Sequence, residues 1–275
     1  GGWSTCVLSW SSPALAKQVI PSAALSPSSS LAPSPPKSGP PSDGPWRLLF
    51  DENFDTLDPN LWVNRYWWNG NLGTQATFDP SGVSVSDGVL SLTARREART
   101  SLDGVNTPYT SGLISTGGIE GVRSPGFAFR YGYVETRSKI APGWGMWSAL
   151  WMLPVSRNDG LAEIDLFENL GRRPDVFNGF YHRADRGVHF ESKVPTEFDL
   201  SADWHTYGLD WRADRLSWYF DGVEVARYTV AAEIVAEPMY LILNLDVGGA
   251  WAGPVSVNTP SRSSLQVDYV KVWQR

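Results

Sequence analysis

Glu163-Ile164-Asp165-Leu166-Phe167-Glu168 sets three carboxyl groups into six residues of an otherwise apolar strand, shortly after the tryptophan-rich Trp147-Ser-Ala-Leu-Trp151. Carboxylates are mostly solvated, and burying several close together costs stability unless they are paired or put to use. A chain that keeps them must fold so that one face of this strand looks into a cleft while the other packs into a core. The alternative, an exposed acidic edge strand, fits poorly with the apolar residues on both sides.

The chain has 275 residues, of which 42% are hydrophobic and 13% aromatic, with 14 tryptophans. That length accommodates one large all-β domain, and the tryptophan excess suits stacking on flat, apolar ligand faces. A net charge of −6 argues against nucleic acid or an anionic membrane surface as a partner. The single Cys6 excludes an internal disulfide, three histidines are too few for a zinc site, and no apolar run reaches membrane-spanning length. A monomer acting on an uncharged partner is expected.

Residues 1–45 differ from the remainder. Eight of the 20 prolines fall in 21–45 among Ser, Gly and Ala, a composition that predicts a disordered linker. Upstream, an apolar stretch ending in Ala14-Leu15-Ala16 is like the tail of a secretory signal, although it lacks a basic start. It predicts a secreted, extracellular protein of bacterial type; a linker fragment is the other reading. The domain proper is placed at 46–275.

There, short runs are punctuated by Gly, Pro, Asn and Asp. Val83–Ala94 alternates with period two around Asp87-Gly88, the signature of a hairpin. Strands are expected at Tyr131–Ile140, Met146–Leu153, Glu163–Glu168, Thr206–Trp211, Arg215–Phe220, Glu224–Thr229, Met239–Val247 and Leu265–Trp273. Helical periodicity is short and βαβ spacing absent, so the fold class is all-β, an antiparallel jelly-roll sandwich with a concave cleft.

Within the acidic strand, Glu163 and Asp165 share a face, but Glu168 is five residues from Glu163 and belongs by parity to the other. A β-bulge near Leu166-Phe167 would restore it to the same face. The two glutamates, about 13 Å apart along the backbone, could then lean over Asp165 toward the roughly 5–5.5 Å separation that retaining glycoside hydrolysis requires. Crowding would raise the pKa of at least one acid, as a proton donor needs.

At these residues the chain resembles glycoside hydrolase family 16, specifically its laminarinase-like members with the bulged Glu-x-Asp-x-x-Glu signature. The resemblance extends to Tyr131–Gly143, His205–Trp211, Tyr219–Gly222, Leu241–Trp251 and Val267–Trp273. It implies a concanavalin A-like jelly roll and a retaining endo-β-glucanase acting on β-1,3 or mixed β-1,3/1,4 glucans such as laminarin or lichenan. Glu163 would be the nucleophile, Glu168 the acid/base and Asp165 their partner. A family enzyme for agarose, carrageenan or a bacterial exopolysaccharide remains an alternative, as does a non-catalytic carbohydrate-binding jelly roll.

The same resemblance implies that Trp147 and Trp151 line subsites near the cleaved bond and that His182 stands beside the acid/base. Trp144 and Trp251 sit in loops with small neighbours, where aromatic rings serve as sugar platforms. Arg137 matches an arginine that reaches sugar hydroxyls, or else pairs with an acid such as Glu135. Trp67 and Trp68 are candidates for the far end of the cleft. No cofactor is needed for the chemistry. Asp268, Glu52 and Gly88 match a structural calcium site of relatives, although Asp268 in an ordinary surface strand reads equally well.

Overall fold

The computed structural model describes residues 39–67, 73–156 and 162–275. Two mostly antiparallel sheets face each other across a core that includes Leu150, Ile164, Leu166, Phe167, Tyr207 and Trp218, all shielded from solvent. The outer sheet has ten strands, among them Val89–Arg95, Gly132–Lys139, His205–Trp211, Leu216–Phe220 and Arg262–Gln274. The inner sheet runs in the order Val188–Pro195, Val176–Arg183, Ala162–Leu170, Met146–Pro154, Met239–Val247, Leu113–Ser115. No helix among the described residues is long and apolar enough to cross a membrane.

Local chemistry accounts for the hairpins. Asp87-Gly88 and Asp221-Gly222 both hold positive φ at two successive residues, the backbone of a two-residue turn matched to strand twist. The strands expected from alternation are present with ends shifted by at most three residues, and Met239–Val247 coincides. Val176–Arg183 is absent from the expectation because its residues are buried on both faces, so it does not alternate, and Asn178-Gly179 imitates a turn.

Ala162–Leu170 carries the expected irregularity. Its register with Met146–Pro154 passes from Leu150↔Phe167 to Trp151↔Asp165, leaving Leu166 without an opposite number. The extra residue resets the parity, so Leu166 and Phe167 both enter the core while Glu163 and Glu168 stay partly open. Trp218 on the outer sheet reaches across the core and donates its indole N–H to the Asp165 main-chain carbonyl at 3.0 Å. Gly179 makes room for that indole, since a Cβ there would lie 2.4 Å from Trp218 Nε1.

The packed domain begins earlier than Trp46. The Gly39 amide donates to both Glu135 carboxylate oxygens (3.1 and 3.0 Å), and Asp43 is bridged by Arg212 and Arg275 at 2.7 Å each. Residues 39–45 therefore belong to the outer sheet's surface and not to a disordered lead; residues 1–38 lie outside the described residues.

Trp218→Phe keeps an aromatic side chain but leaves the buried Asp165 carbonyl without its donor, a loss of about 1–3 kcal/mol. For a domain of this size that lowers Tm by roughly 3–10 °C. Thermal unfolding followed by circular dichroism measures it, and an unchanged Tm would contradict this role for the indole.

Candidate active site

The inner sheet bends around a cleft of about 560 Å³ whose walls include Trp147, Trp151, Glu163, Glu168, His182 and Trp251. Three adjacent strands supply its centre. Ala162–Leu170 provides the acids, Met146–Pro154 the tryptophans and Val176–Arg183 the imidazole, with His182 directly opposite Glu163.

One carboxyl oxygen each of Glu163, Asp165 and Glu168 and one ring nitrogen of His182 lie within 4.8 Å of one another. Asp165 is wholly buried between the two glutamates. Among the described residues no N–H is in hydrogen-bonding geometry with either carboxyl oxygen, whose neighbours are the flanking carboxyls and His182 Nε2 at 3.2 Å. Such a contact of carboxyls holds only with protons between them. Burial, followed by the charges of Glu163 and Glu168, keeps Asp165 well above the usual carboxylate range. The protons belong to the cluster as a unit.

Glu168 is pushed up to about 7, mainly by burial and then by the charges of Glu163 and Asp246. Hydrogen bonds from Asp165 and from Trp147, whose indole donates to Glu168 Oε2 at 2.8 Å, pull the other way. The balance leaves a carboxylic acid able to deliver a proton near neutrality. Burial holds His182 below its ordinary value and so favours its neutral ring. Its Nδ1 meets Nδ1 of the exposed His189 at 2.9 Å, and its ring stacks on Phe180.

The remaining candidates divide. Trp151 donates to Asn244 Oδ1 at 2.8 Å and forms the cleft floor. Trp251 packs edge-to-face on Trp147, with centroids 5.0 Å apart, and on Phe180. The loop bearing it turns back through Gly248, where a Cβ would meet Gln75 Oε1 at 2.2 Å. Trp144 stands outside this group: its indole donates to the Pro254 carbonyl at 2.7 Å and Arg172 covers its ring, so it braces the Trp251 loop at the rim. Trp67 is half-buried beside the cluster of Tyr66, Ala149, Trp151 and Tyr240 that backs the cleft floor. Trp68 lies outside the described residues.

Arg137 is a correction. It lies on the outer sheet, bonded to Asp268 at 3.0 Å and placed over Trp204, far from any sugar in the cleft. Its parity within Gly132–Lys139 aims it at solvent on the convex side. Asp268, Glu52 and Gly88 do share a corner of that sheet. Asp268 is the residue skipped by a register break in Arg262–Gln274, which frees its main-chain groups from the ladder. Glu52 pairs with Val270 two residues away, and Gly88 sits beside Asn53 and Asp55. One Asp268 oxygen is committed to Arg137; a carboxylate beside main-chain carbonyls is the ligand chemistry that a hard cation takes.

Asn244, Asp246, Phe180 and Glu191 also line the cleft, and His189 adjoins it through His182, although no sequence motif marks them. Asn244 and Asp246 alternate along Met239–Val247, a buried strand whose parity gives no sign of which face is the cleft.

Glu168 and Asp246, the latter raised by burial to about 6, hold protons in the fold that they lose more easily when unfolded. The folded state binds more protons between the ordinary carboxyl values and about 7, so stability is highest below that window and falls as pH rises through it. Melting curves from pH 4.5 to 8 should show that decline, and Glu168→Gln should flatten it. An equal slope in the variant would contradict a buried, protonated Glu168.

Residues 71–271 match Glycosyl hydrolases family 16. The chain is 29% identical over 248 residues to Endo-1,3-1,4-beta-glycanase EglC of Rhizobium meliloti (strain 1021), covering 82% of this chain and 51% of that protein. It is 29% identical over 261 residues to Beta-glucanase of Rhodothermus marinus, covering 83% and 85%. The fold is similar to the laminarinase catalytic domain of Thermotoga maritima MSB8, with TM-score 0.73, 27% identity and coverage of 84% of this chain and 98% of that one. The chain thus spans about half the length of the first of these relatives and nearly all of the laminarinase domain. With the bulged acidic strand lying at the floor of its cleft and the family match spanning most of its length, the chain belongs to glycoside hydrolase family 16.

Proposed function

We propose that the chain is a retaining endo-β-glucanase that hydrolyses internal β-1,3 or mixed β-1,3/1,4 bonds of neutral glucans such as laminarin or lichenan. The observation that carries this reading is that one carboxyl oxygen of Glu163 and one of Glu168 lie within 4.8 Å of each other on one cleft face. An inverting pair needs about 6.5–9.5 Å to admit water between acid and base, whereas a retaining pair needs about 5–5.5 Å. The relatives, named as a 1,3-1,4-β-glycanase, a β-glucanase and a laminarinase, support the choice of linkage.

In the first half-reaction a Glu163 oxygen forms a bond to the anomeric carbon as the glycosidic C–O bond breaks, and Glu168 transfers its proton to the departing oxygen. Glu168, now a carboxylate, then takes a proton from water, whose oxygen displaces Glu163. Asp165, which burial keeps protonated, lies beside Glu163 as a hydrogen-bond donor, and the Trp147 indole fixes the Glu168 carboxyl. Two inversions return the β-configuration.

Glu163, Glu168, Glu191 and Asp246 crowd the cleft, and among the described residues that line it His182 is the one basic group. A sulfated or carboxylated polymer would meet repulsion there, which favours neutral glucans over carrageenan or an acidic exopolysaccharide. A non-catalytic binding role would not call for three intact, proton-sharing acids. A substrate too large to enter a cell places the work outside it, in keeping with secretion.

A structural calcium is part of this reading. The free Asp268 oxygen and the carbonyls of Asp268, Glu52 and Gly88 would hold it, away from the chemistry.

Purified protein should release reducing sugar from laminarin or lichenan, with β-anomers seen first by NMR, and little from carrageenan. Glu168→Ala should lower kcat by about 10²–10⁴-fold, and Glu163→Ala should abolish it while both variants melt cooperatively. Normal turnover by either purified variant would overturn the assignment. For calcium, a site filled to about 100 times its Kd adds about 2.7 kcal/mol, so Tm should rise by roughly 5–10 °C from EDTA to calcium. Equal Tm values would remove the metal from the account.

A further inference from the structure

Asp246 is a carboxyl that the proposed chemistry leaves without a task. Met239–Val247 presents Asn244 and Asp246 to the cleft at alternate positions, with Asp246 directly opposite Trp147 and Asn244 opposite Ala149, the residue that faces Glu168. Asp246 thus sits one row beyond the acid/base, on the side away from Glu163. The residue is 2% exposed and lines the cleft.

Both hydrogen bonds made to it end on one oxygen: Oδ1 accepts from Thr74 Oγ1 at 2.5 Å and from the Val247 amide at 2.8 Å. Oδ2 has no partner among the described residues. Thr74 and Val247 fix the carboxyl plane, and with it the direction of the free oxygen. Beside it, the Trp147 ring offers an apolar platform closed at one edge by Trp251. A pre-oriented acceptor next to an aromatic platform is the arrangement that binds a pyranose, ring face on indole and hydroxyl on carboxylate.

We propose that Asp246 is a substrate-binding residue whose Oδ2 accepts a hydrogen bond from a hydroxyl of the sugar unit lying on Trp147. The hydroxyl must be unsubstituted: an ether, ester or sulfate in its place brings no proton to donate and sets bulk or charge against a carboxylate. Asp246 thereby restricts the enzyme to bare sugar units at this position, which deepens the reading of a neutral glucan as substrate and rests on it. Its charge also helps to keep the proton on Glu168, alongside Glu163.

The test is steady-state hydrolysis of a neutral laminari-oligosaccharide by the unaltered protein, Asp246→Ala and Asp246→Asn, with Kd for the same oligosaccharide measured in a Glu163→Gln background. Asp246→Ala should lower kcat/KM by about 10–100-fold, the worth of a hydrogen bond to a charged group, and weaken binding by a similar factor. Asp246→Asn, which keeps the shape and melts like the parent, should lose part of that and move the basic limb of the pH profile to lower pH. A folded Asp246→Asn with parental Kd, kcat/KM and pH profile would overturn the proposal, whether or not the alanine variant folds. Failure of the unaltered protein to cleave any β-glucan would count instead against the substrate reading, and the Asp246 comparison would then be made on the neutral polysaccharide it does cleave.

Discussion

The hydrogen bond from the Trp218 indole to the Asp165 carbonyl joins the two sheets at the residue on which the cleft depends. A bulge leaves main-chain groups outside the ladder, and in a dry core such a group must find a partner or destabilise the fold. Here the partner comes from the opposite sheet, through the gap that Gly179 leaves. The bulge is thus held by the sandwich itself, and it in turn decides that Glu168 shares a face with Glu163.

That geometry imposes an electrostatic consequence. Three carboxyls within 4.8 Å cannot all be ionised in so buried a place, so the cluster retains protons near neutral pH. Burial raises Glu168 and Trp147 fixes its orientation, which suits it to give up a proton to a leaving group. The stability lost in burying acids is the same free energy that makes one of them a useful acid. His182 and His189 carry the arrangement outward, from the wholly buried Asp165 to an exposed ring, along 3.2 and 2.9 Å contacts.

Much of this is legible in the amino-acid sequence. The Asp87-Gly88 and Asp221-Gly222 turns announce their hairpins because few other residue pairs tolerate two positive φ values. The bulge follows from parity, since no regular strand puts Glu163 and Glu168 on one side. Other features depend on partners distant in sequence. Gly179 reads as a turn until Trp218 is seen to need its space, and Arg137 reads as a sugar ligand until Asp268 is found beside it. Residues 39–45 have the composition of a linker, yet the Glu135 carboxylate and two arginines hold them down. Asp246 is invisible as a site because a strand buried on both faces gives no sign of which side opens to solvent.

The central claim is that Glu163 forms the covalent link to sugar while Glu168 manages the proton. The most direct measurement is peptide mapping by mass spectrometry of the Glu168→Gln variant after reaction with an aryl β-laminaribioside, whose leaving group needs no acid. The account predicts a glycosyl adduct that accumulates on the peptide containing Glu163, at that carboxyl. An adduct on another residue, or release of the aryl group with no adduct and inverted sugar, would contradict it.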